Sequence, residues 1–473
     1  MLKTNHRRAL TWLMLMALAG LPIFYFSYVK RGTQLDDALI YLRYVRNCLD
    51  GHGLVYNTGE KFNGLTSPLF TCLVLLMAWI LKDLQATVII VSTACFWIFA
   101  VVMARICWRG NVLYQMLMVV VIGLTPPFIY ETYGMESTLL IMLSALLLWA
   151  YQARRLFWCS VCAGLLCITR AEGGLLPLVV LFDYWLQNRR LPHSAYFIAP
   201  IALVGASYGF NYCYYGHVLP DSITAKLGQG KSGLWGSGWL FLNSCGYLKG
   251  RAFHADSLYM IVCFGCALLG LWQFRRSMLT RVAVPYVLAY VAGCAAAGVP
   301  NYHWYYTPVF AFGSVYAALG VLGLLQRRHG RISPWPGVPV AAVLGAYLVC
   351  MGCLYSNQPA RPREAYRQIG MWIKQNTAPA ASIAMVEIGT IGWYSDRHII
   401  DILGLVTPLN AEFIAEKKFC EWLSHYSPDY ILLHEPLWSH EQSARDPRIV
   451  KGYRPDAGFR FRGYTLLKKI QSL

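Results

Sequence analysis

A chain of 473 residues, 57% hydrophobic and only 14% charged, carries far less charge than the roughly 25% of an average soluble domain. With a mean hydropathy of +0.42, that composition excludes a water-soluble globular enzyme and indicates a polytopic membrane protein. The net charge of +18 does not indicate a nucleic-acid partner, because the basic residues stand in short loops between apolar runs, as in Arg7-Arg8, Arg154-Arg155, Arg189-Arg190, Arg275-Arg276 and Arg327-Arg328.

The first apolar stretch, 9–29, follows a basic N-terminus and lacks a small-residue cleavage site, which predicts an uncleaved anchor. Further stretches near 68–81, 86–104, 112–129, 137–153, 156–169, 174–187, 195–215, 257–274, 282–299, 306–325 and 338–355 bring the candidates to twelve. Were 68–81 to cross the membrane, Arg105/Arg109 and the later arginine clusters would fall opposite Arg7/Arg8. If it does not cross, all of them share the cytoplasmic side, as the positive-inside rule requires. Its fourteen residues also reach only ~21 Å against a hydrocarbon core of ~30 Å. The expectation is therefore a helix lying along or dipping into the outer face, with about eleven transmembrane helices around it. Segments 30–85, 130–136, 170–173, 216–256, 300–305 and everything after 356 then face outward, and they hold most of the polar residues that could do chemistry. In a bacterium this places a multi-pass protein in the cytoplasmic (inner) membrane, working on the periplasmic or exterior side.

The tail differs in kind. Arg363–Asn376 has helical spacing, and Ser382–Ile391, His398–Leu403 and Tyr430–His434 read as short buried strands, with a helix from Leu409 to His425. Residues 1–356 are thus expected to form a transmembrane catalytic domain and 357–473 an extracytoplasmic α/β domain. The fifteen cysteines lie mostly in apolar segments and read as small hydrophobes, Cys350-x-x-Cys353 included, since it has no second pair or nearby His. The glycine-rich run Gly228 to Gly238 lacks a preceding strand, so it reads as a mobile loop that could close over substrate rather than as a nucleotide loop.

Two adjacent carboxylates, Asp36 and Asp37, open the first outer loop at the edge of a hydrophobic span, where charge is costly unless it is used. Residues 37–49 have helical spacing, so one Asp can be an N-cap, worth ~1 kcal/mol. That accounts for one carboxylate and leaves the other for a general base or a divalent cation; no further cofactor is called for.

The loop from Asp36 through Gly64-x-Thr66-Ser67-Pro68 resembles the signature of bacterial GT-C-type glycosyltransferases that use polyprenyl-phosphate sugars, the terminal arabinofuranosyltransferases above all. The similarity continues in order through Gly134-Met135-Glu136-Ser137 and Thr169-Arg170-Ala171-Glu172-Gly173, where Ala171 departs from the usual Pro. Next come Tyr214-Tyr215-Gly216-His217-Val218-Leu219-Pro220-Asp221-Ser222 with Lys226, where Asp221 replaces the commoner Asn, then Trp304-Tyr305-Tyr306 and the tail from Glu387 to Leu405. The resemblance implies a first-loop Asp as catalytic base, Asp36 first with Asp37 assisting, orienting the acceptor or binding a cation. It also implies a polyprenyl-phosphate donor, whose departing phosphate needs positive charge. Lys226, Arg170, His303 and His217 are the outer-face candidates for that phosphate. Tyr44, Glu60, Asn63, Glu136, Glu172 and Asp221 are candidates for acceptor binding or support, although Glu136 and Glu172 could instead cap helices and pair with Arg170. The function so implied is inverting transfer of a sugar, arabinofuranose or another pentose, to a glycan, lipid or protein acceptor among the membrane lipids. The alternatives are a lipid-linked oligosaccharide ligase or polymerase and a lipid-sugar transporter. The first relies more on paired Arg/His in a large outer loop, and the second on buried mid-span charges and repeated halves.

Overall fold

Apolar periodicity becomes helix along most of this chain. The computed structural model describes residues 2–29, 31, 35–124, 127–234, 239–242, 255–299, 302–326, 346 and 361–470. Eleven of the twelve apolar stretches contain helix within these bounds. The twelfth, 338–355, lies outside the described residues apart from Ala346, and Cys350, Cys353 and the expected boundary at 356/357 lie outside with it.

Among the described residues, three helices are individually long and apolar enough to cross a membrane: Leu84–Cys107, Met278–Ala296 and Trp304–Leu325. A fourth span arises if His6–Ala19 and Leu21–Val29 count as one, bent by 44°. At that bend a Cβ on Gly20 would press onto the Trp97 ring at 2.6 Å, so the close packing there requires glycine. Pro68–Leu81 and Leu156–Cys167 are among the shorter apolar helices. Pro68–Leu81 buries Phe70, Val74 and Ala78 while exposing Leu76, Trp79 and Ile80. Phe157, Leu178, Phe182, Ile201, Phe264 and Leu288 are likewise exposed, as suits helices whose outer faces meet hydrocarbon rather than water.

The tail folds as a five-stranded sheet. Its strands are β1 (Ser382–Met385), β2 (His398–Asp401), β3 (Tyr430–His434), β4 (Tyr453–Pro455) and β5 (Tyr464–Lys469), in the order β2-β1-β3-β5-β4. β1 runs parallel to β2 and β3, whereas β5 runs antiparallel to β3 and β4. The expected strand Ser382–Ile391 stops at Met385, because Thr390–Ser395 turns into a short helix, and the expected helix Leu409–His425 is broken in two. Asn410–Ala415 and Glu421–Tyr426 are separated where Lys417 takes a left-handed φ of 60° in a charged run. One face of the sheet packs Ile400, Ile431, Leu433 and Trp422 into its own core. The other face, with Ile383, Met385, Ile399 and Leu432, belongs to the same contiguous core as the membrane helices, so the tail is fused to the bundle rather than tethered to it.

Candidate active site

The first-loop helix, Asp36–Leu49, is where the two parts meet. Its N-cap is Leu35, which makes no side-chain capping bond, so neither aspartate serves as the cap and both occupy the first turn, where the helix dipole favours negative charge. Asp36 reaches instead into the tail: its two carboxylate oxygens accept from the backbone N–H groups of Gly389 (2.8 Å) and Thr390 (2.6 Å). It thereby caps the helix Thr390–Ser395 from another part of the chain. A Cβ on Gly389 would collide with the Asp36 carbonyl and carboxylate, which is why glycine stands there. Farther along the same helix the buried Arg43 donates to the carbonyls of Tyr56 (2.9 Å), Gly392 (2.8 Å) and Arg397 (2.6 Å). Asn57 pairs with both the N–H (3.1 Å) and the C=O (2.8 Å) of Ile399, closing the edge of β2 as an extra strand would.

Asp37 has a different environment. Among the described residues its carboxylate accepts no hydrogen bond, and it remains partly open to solvent. Burial pushes its pKa up from 3.8 to about 7, the charges of Asp36, Glu136 and Asp401 add to the rise, and Lys226 opposes it. Glu387, from the tail, faces the same pair: burial and the charges of Asp36 and Asp37 drive it to about 9, so it is protonated at neutral pH. Burial likewise lifts Asp401 to about 6, against the backbone N–H groups of Leu403, Leu405 and Val406 that hold it.

The other motifs converge beside Asp37. Glu136, fully buried, accepts from Arg170 (2.5 Å), Tyr41 (3.1 Å) and Thr66 (3.2 Å) and makes no helix cap with its side chain. Arg170 also pairs with Glu172 at 2.5 Å, and its guanidinium stacks over Tyr305 at 4.8 Å. Although burial alone would raise Glu172, the Arg170 charge more than offsets it and holds the carboxyl low. Arg170 is thus shared between two carboxylates. Lys226 donates to the Tyr305 hydroxyl at 3.2 Å and, among the described residues, makes no ion pair in contact with a carboxylate, although its charge acts on Asp37 and Glu172. It rides on the helix Asp221–Ser232, so the start of the expected mobile glycine loop is helical. Gly228 there lets the helix pack against Ala411, whose carbonyl would lie 2.6 Å from a Cβ, while 235–238 lie outside the described residues.

Several predicted site residues build the walls. Tyr44 accepts from Gly64 N–H (2.9 Å) and donates to Phe62 C=O (2.7 Å). Asp221 accepts from Asn63 N–H (2.7 Å) and pairs with His217 (3.2 Å), while the Asn63 side chain bonds Asn211 (3.1 Å). Glu60 accepts from Asn57 (2.9 Å) and pairs with His398 (3.3 Å) of β2. These contacts fix the shape of the first loop and of the 216–222 turn. His303 begins a short 3-10 helix, and its side chain lies outside the described residues. No three His, Cys, Asp or Glu side chains gather as a metal site among the described residues. Both Asp36 oxygens face N–H donors, which a cation bound there would have to displace.

Sequence reasoning assigned no role to Glu387, Tyr41, Thr66 or Tyr305, though each lies inside a quoted motif. What hid them was distance along the chain, since Glu387 meets Asp36 only after the tail folds back.

The fold has structural counterparts. ArnT from Cupriavidus metallidurans superposes with a TM-score of 0.61 over 98% of both chains, at 13% identity. The chain has the GT-C fold. The arabinofuranosyltransferase AftD from mycobacteria shares it at a TM-score of 0.50 and 12% identity over 96% of this chain and 40% of that one. In sequence, the GT-C chain is similar to the terminal beta-(1->2)-arabinofuranosyltransferase of Corynebacterium glutamicum, 26% identical over 264 residues that cover 47% of this chain and 37% of the relative. The Mycobacterium tuberculosis protein of the same description is 24% identical over 50% of this chain and 41% of its own. The chain therefore spans well under half the length of the curated relatives it matches. A family model described as a domain of unknown function (DUF8728) matches residues 356–470, the tail that covers the site.

Proposed function

We propose that this GT-C chain is a membrane glycosyltransferase that moves a sugar from a polyprenyl-phosphate donor to an acceptor hydroxyl, with inversion, and that Asp37 is the general base. One observation carries the assignment: among the described residues the Asp37 carboxylate accepts no hydrogen bond and is raised toward neutral pH, with the Lys226 charge acting on it, whereas Asp36 is occupied as a helix cap. A base with a pKa near the working pH is ionised often enough to act and still strong enough to take a proton. The acceptor oxygen gives its proton to Asp37 and bonds to the anomeric carbon as the bond from that carbon to the phosphate oxygen breaks. The polyprenyl phosphate leaves with both electrons of that bond, toward Lys226. Arg170, its charge taken up by Glu136 and Glu172, holds Tyr305 and with it the wall beside Lys226, which leaves Lys226 as the cation that faces the departing phosphate.

Support for the donor class comes from the ArnT neighbour that was solved bound to undecaprenyl phosphate (TM-score 0.59). Support for arabinofuranose as the sugar comes from the described activity of the two sequence relatives. The topology that goes with this reading has about eleven spans, with Pro68–Leu81 at the outer surface, the site and tail outside the cytoplasmic membrane, and the boundary between the two domains near 356. A second reading, transfer of a lipid-linked oligosaccharide, draws on the oligosaccharyltransferase of Archaeoglobus fulgidus (TM-score 0.54, 12% identity, 89% of this chain and 68% of that one).

The test supplies membranes with radiolabelled polyprenyl-phosphoryl pentose and an extracted glycan acceptor. Transfer that depends on Asp37 is expected. Transfer unchanged in Asp37→Ala would overturn the base assignment, and transfer only from a diphosphate-linked oligosaccharide would select the second reading.

A further inference from the structure

Arg7 and Arg8 on the first helix and Arg105 in the last turn of Leu84–Cys107 line a cavity of about 660 Å³. This cavity lies far from the active site. Gln85, at the start of the same helix, donates to Tyr394 of the tail at 2.9 Å, and the twenty residues from there to Arg105 rise ~30 Å. The cavity thus opens at the end of the bundle opposite the tail. Among the described residues no carboxylate pairs with any of the three arginines. Apart from Thr11, its remaining wall is apolar and includes Trp12, Leu15 and Val112. Trp12 is fixed by donating from its ring N–H to Gln115 at 2.7 Å, and the Arg105 guanidinium lies 5.7 Å from its ring centre.

We propose that this cavity binds the headgroup of an anionic phospholipid, the three guanidiniums meeting the phosphate and an acyl chain following Trp12, Leu15 and Val112 toward the bilayer. Three cations lining one cavity, with no carboxylate paired to any of them among the described residues, call for a counter-charge of the ligand's own, and Arg suits phosphate geometrically. The apolar wall favours a lipid over a free phosphate, since inorganic phosphate gains nothing from Trp12, Leu15 or Val112. Arginines that serve only to orient the chain in the membrane need neither a shared cavity nor a locked tryptophan beside it. A lipid seated there ties the bent first helix to Leu84–Cys107 and Val112–Leu124.

The experiment uses the full chain purified in a neutral detergent and presents phosphatidylglycerol, phosphatidylcholine or inorganic phosphate, read by native mass spectrometry and thermal unfolding. Phosphatidylglycerol is expected to be retained at least fivefold over phosphatidylcholine and to raise the unfolding temperature, with no effect of inorganic phosphate. R7Q/R8Q/R105Q is expected to abolish that preference. Should this triple variant fail to fold, V112W puts an indole into the apolar wall while leaving every charge in place, and it too is expected to weaken retention of the lipid. Equal retention of the two lipids, stabilisation by inorganic phosphate alone, or full retention of phosphatidylglycerol by V112W would overturn the proposal.

Discussion

Replacing Asp37 with Asn should make the protein more stable and catalytically inert, a combination that a merely structural carboxylate does not give. The rise of the Asp37 pKa from 3.8 to about 7 means that the folded state holds the proton more tightly than the unfolded chain does. Ionisation therefore destabilises the fold: the carboxyl costs nothing below about pH 4, an increasing amount as pH rises toward 7, and a constant amount above that. At ~1.4 kcal/mol per unit, a rise of about three units sets a ceiling near ~4 kcal/mol. Because the side chain keeps contact with solvent, about half of that, ~2 kcal/mol, is the expected cost. Asn carries no charge at any pH, so Asp37→Asn should unfold together with the wild type at pH 4 and roughly 2–5 °C above it at pH 8. The measurement is thermal unfolding of the two purified proteins at one scan rate, paired with donor-to-acceptor transfer in membranes. A variant that unfolds earlier than wild type at pH 8 would refute the strain, and one that keeps its transfer activity would refute the base assignment.

Asp36→Ala removes the acceptor of two backbone N–H groups; a loss of ~2–4 kcal/mol and faster proteolysis of residues 361–470 are expected in a limited digest. Lys226 is the cation that lowers the Asp37 pKa, so Lys226→Ala should shift the rising limb of the pH–rate profile above 7 and raise the donor KM about tenfold, with Lys226→Arg restoring both. Glu387 is neutral until about pH 9, so Glu387→Gln should match wild-type transfer at pH 7–8. Above pH 9 the wild type gains a further negative charge beside Asp36 and Asp37, against the donor phosphate, and should decline, while the variant holds level. Arg170→Ala leaves Glu136 buried without its cation and should cost ~3–5 kcal/mol, seen as a lowered unfolding temperature and poor yield.

The helical part was readable because its signal is local: apolar runs of helical length are consistent with one another along the chain, and helices duly occupy them. The site motifs were readable as a set, since Asp37, Glu136, Arg170, Glu172 and Lys226 all come from segments picked out by motif spacing. Their different surroundings were not. Asp36 and Asp37 are chemically identical neighbours, and what separates them is a pair of backbone N–H groups at Gly389 and Thr390 that no local pattern reveals. The tail was half readable for a similar reason. Its three buried strands announce themselves by hydrophobicity, whereas β4 is three residues long with one residue buried, and β5 ends in two lysines. Both owe their existence to pairing rather than to propensity.

The grip of Asp36 and Arg43 on the short helix Thr390–Ser395 also bears on how such proteins can be recombined. A tail borrowed from a relative must bring a glycine where Gly389 stands, a strand edge that Asn57 can complete, and backbone that welcomes both side chains. Its own first loop already satisfies those demands. The inheritable unit is therefore a split one, residues 36–67 together with 361–470, although most of the membrane helices lie between them. Functional chimeras are expected to have exchanged both pieces, and single-piece grafts to be confined to the bundle.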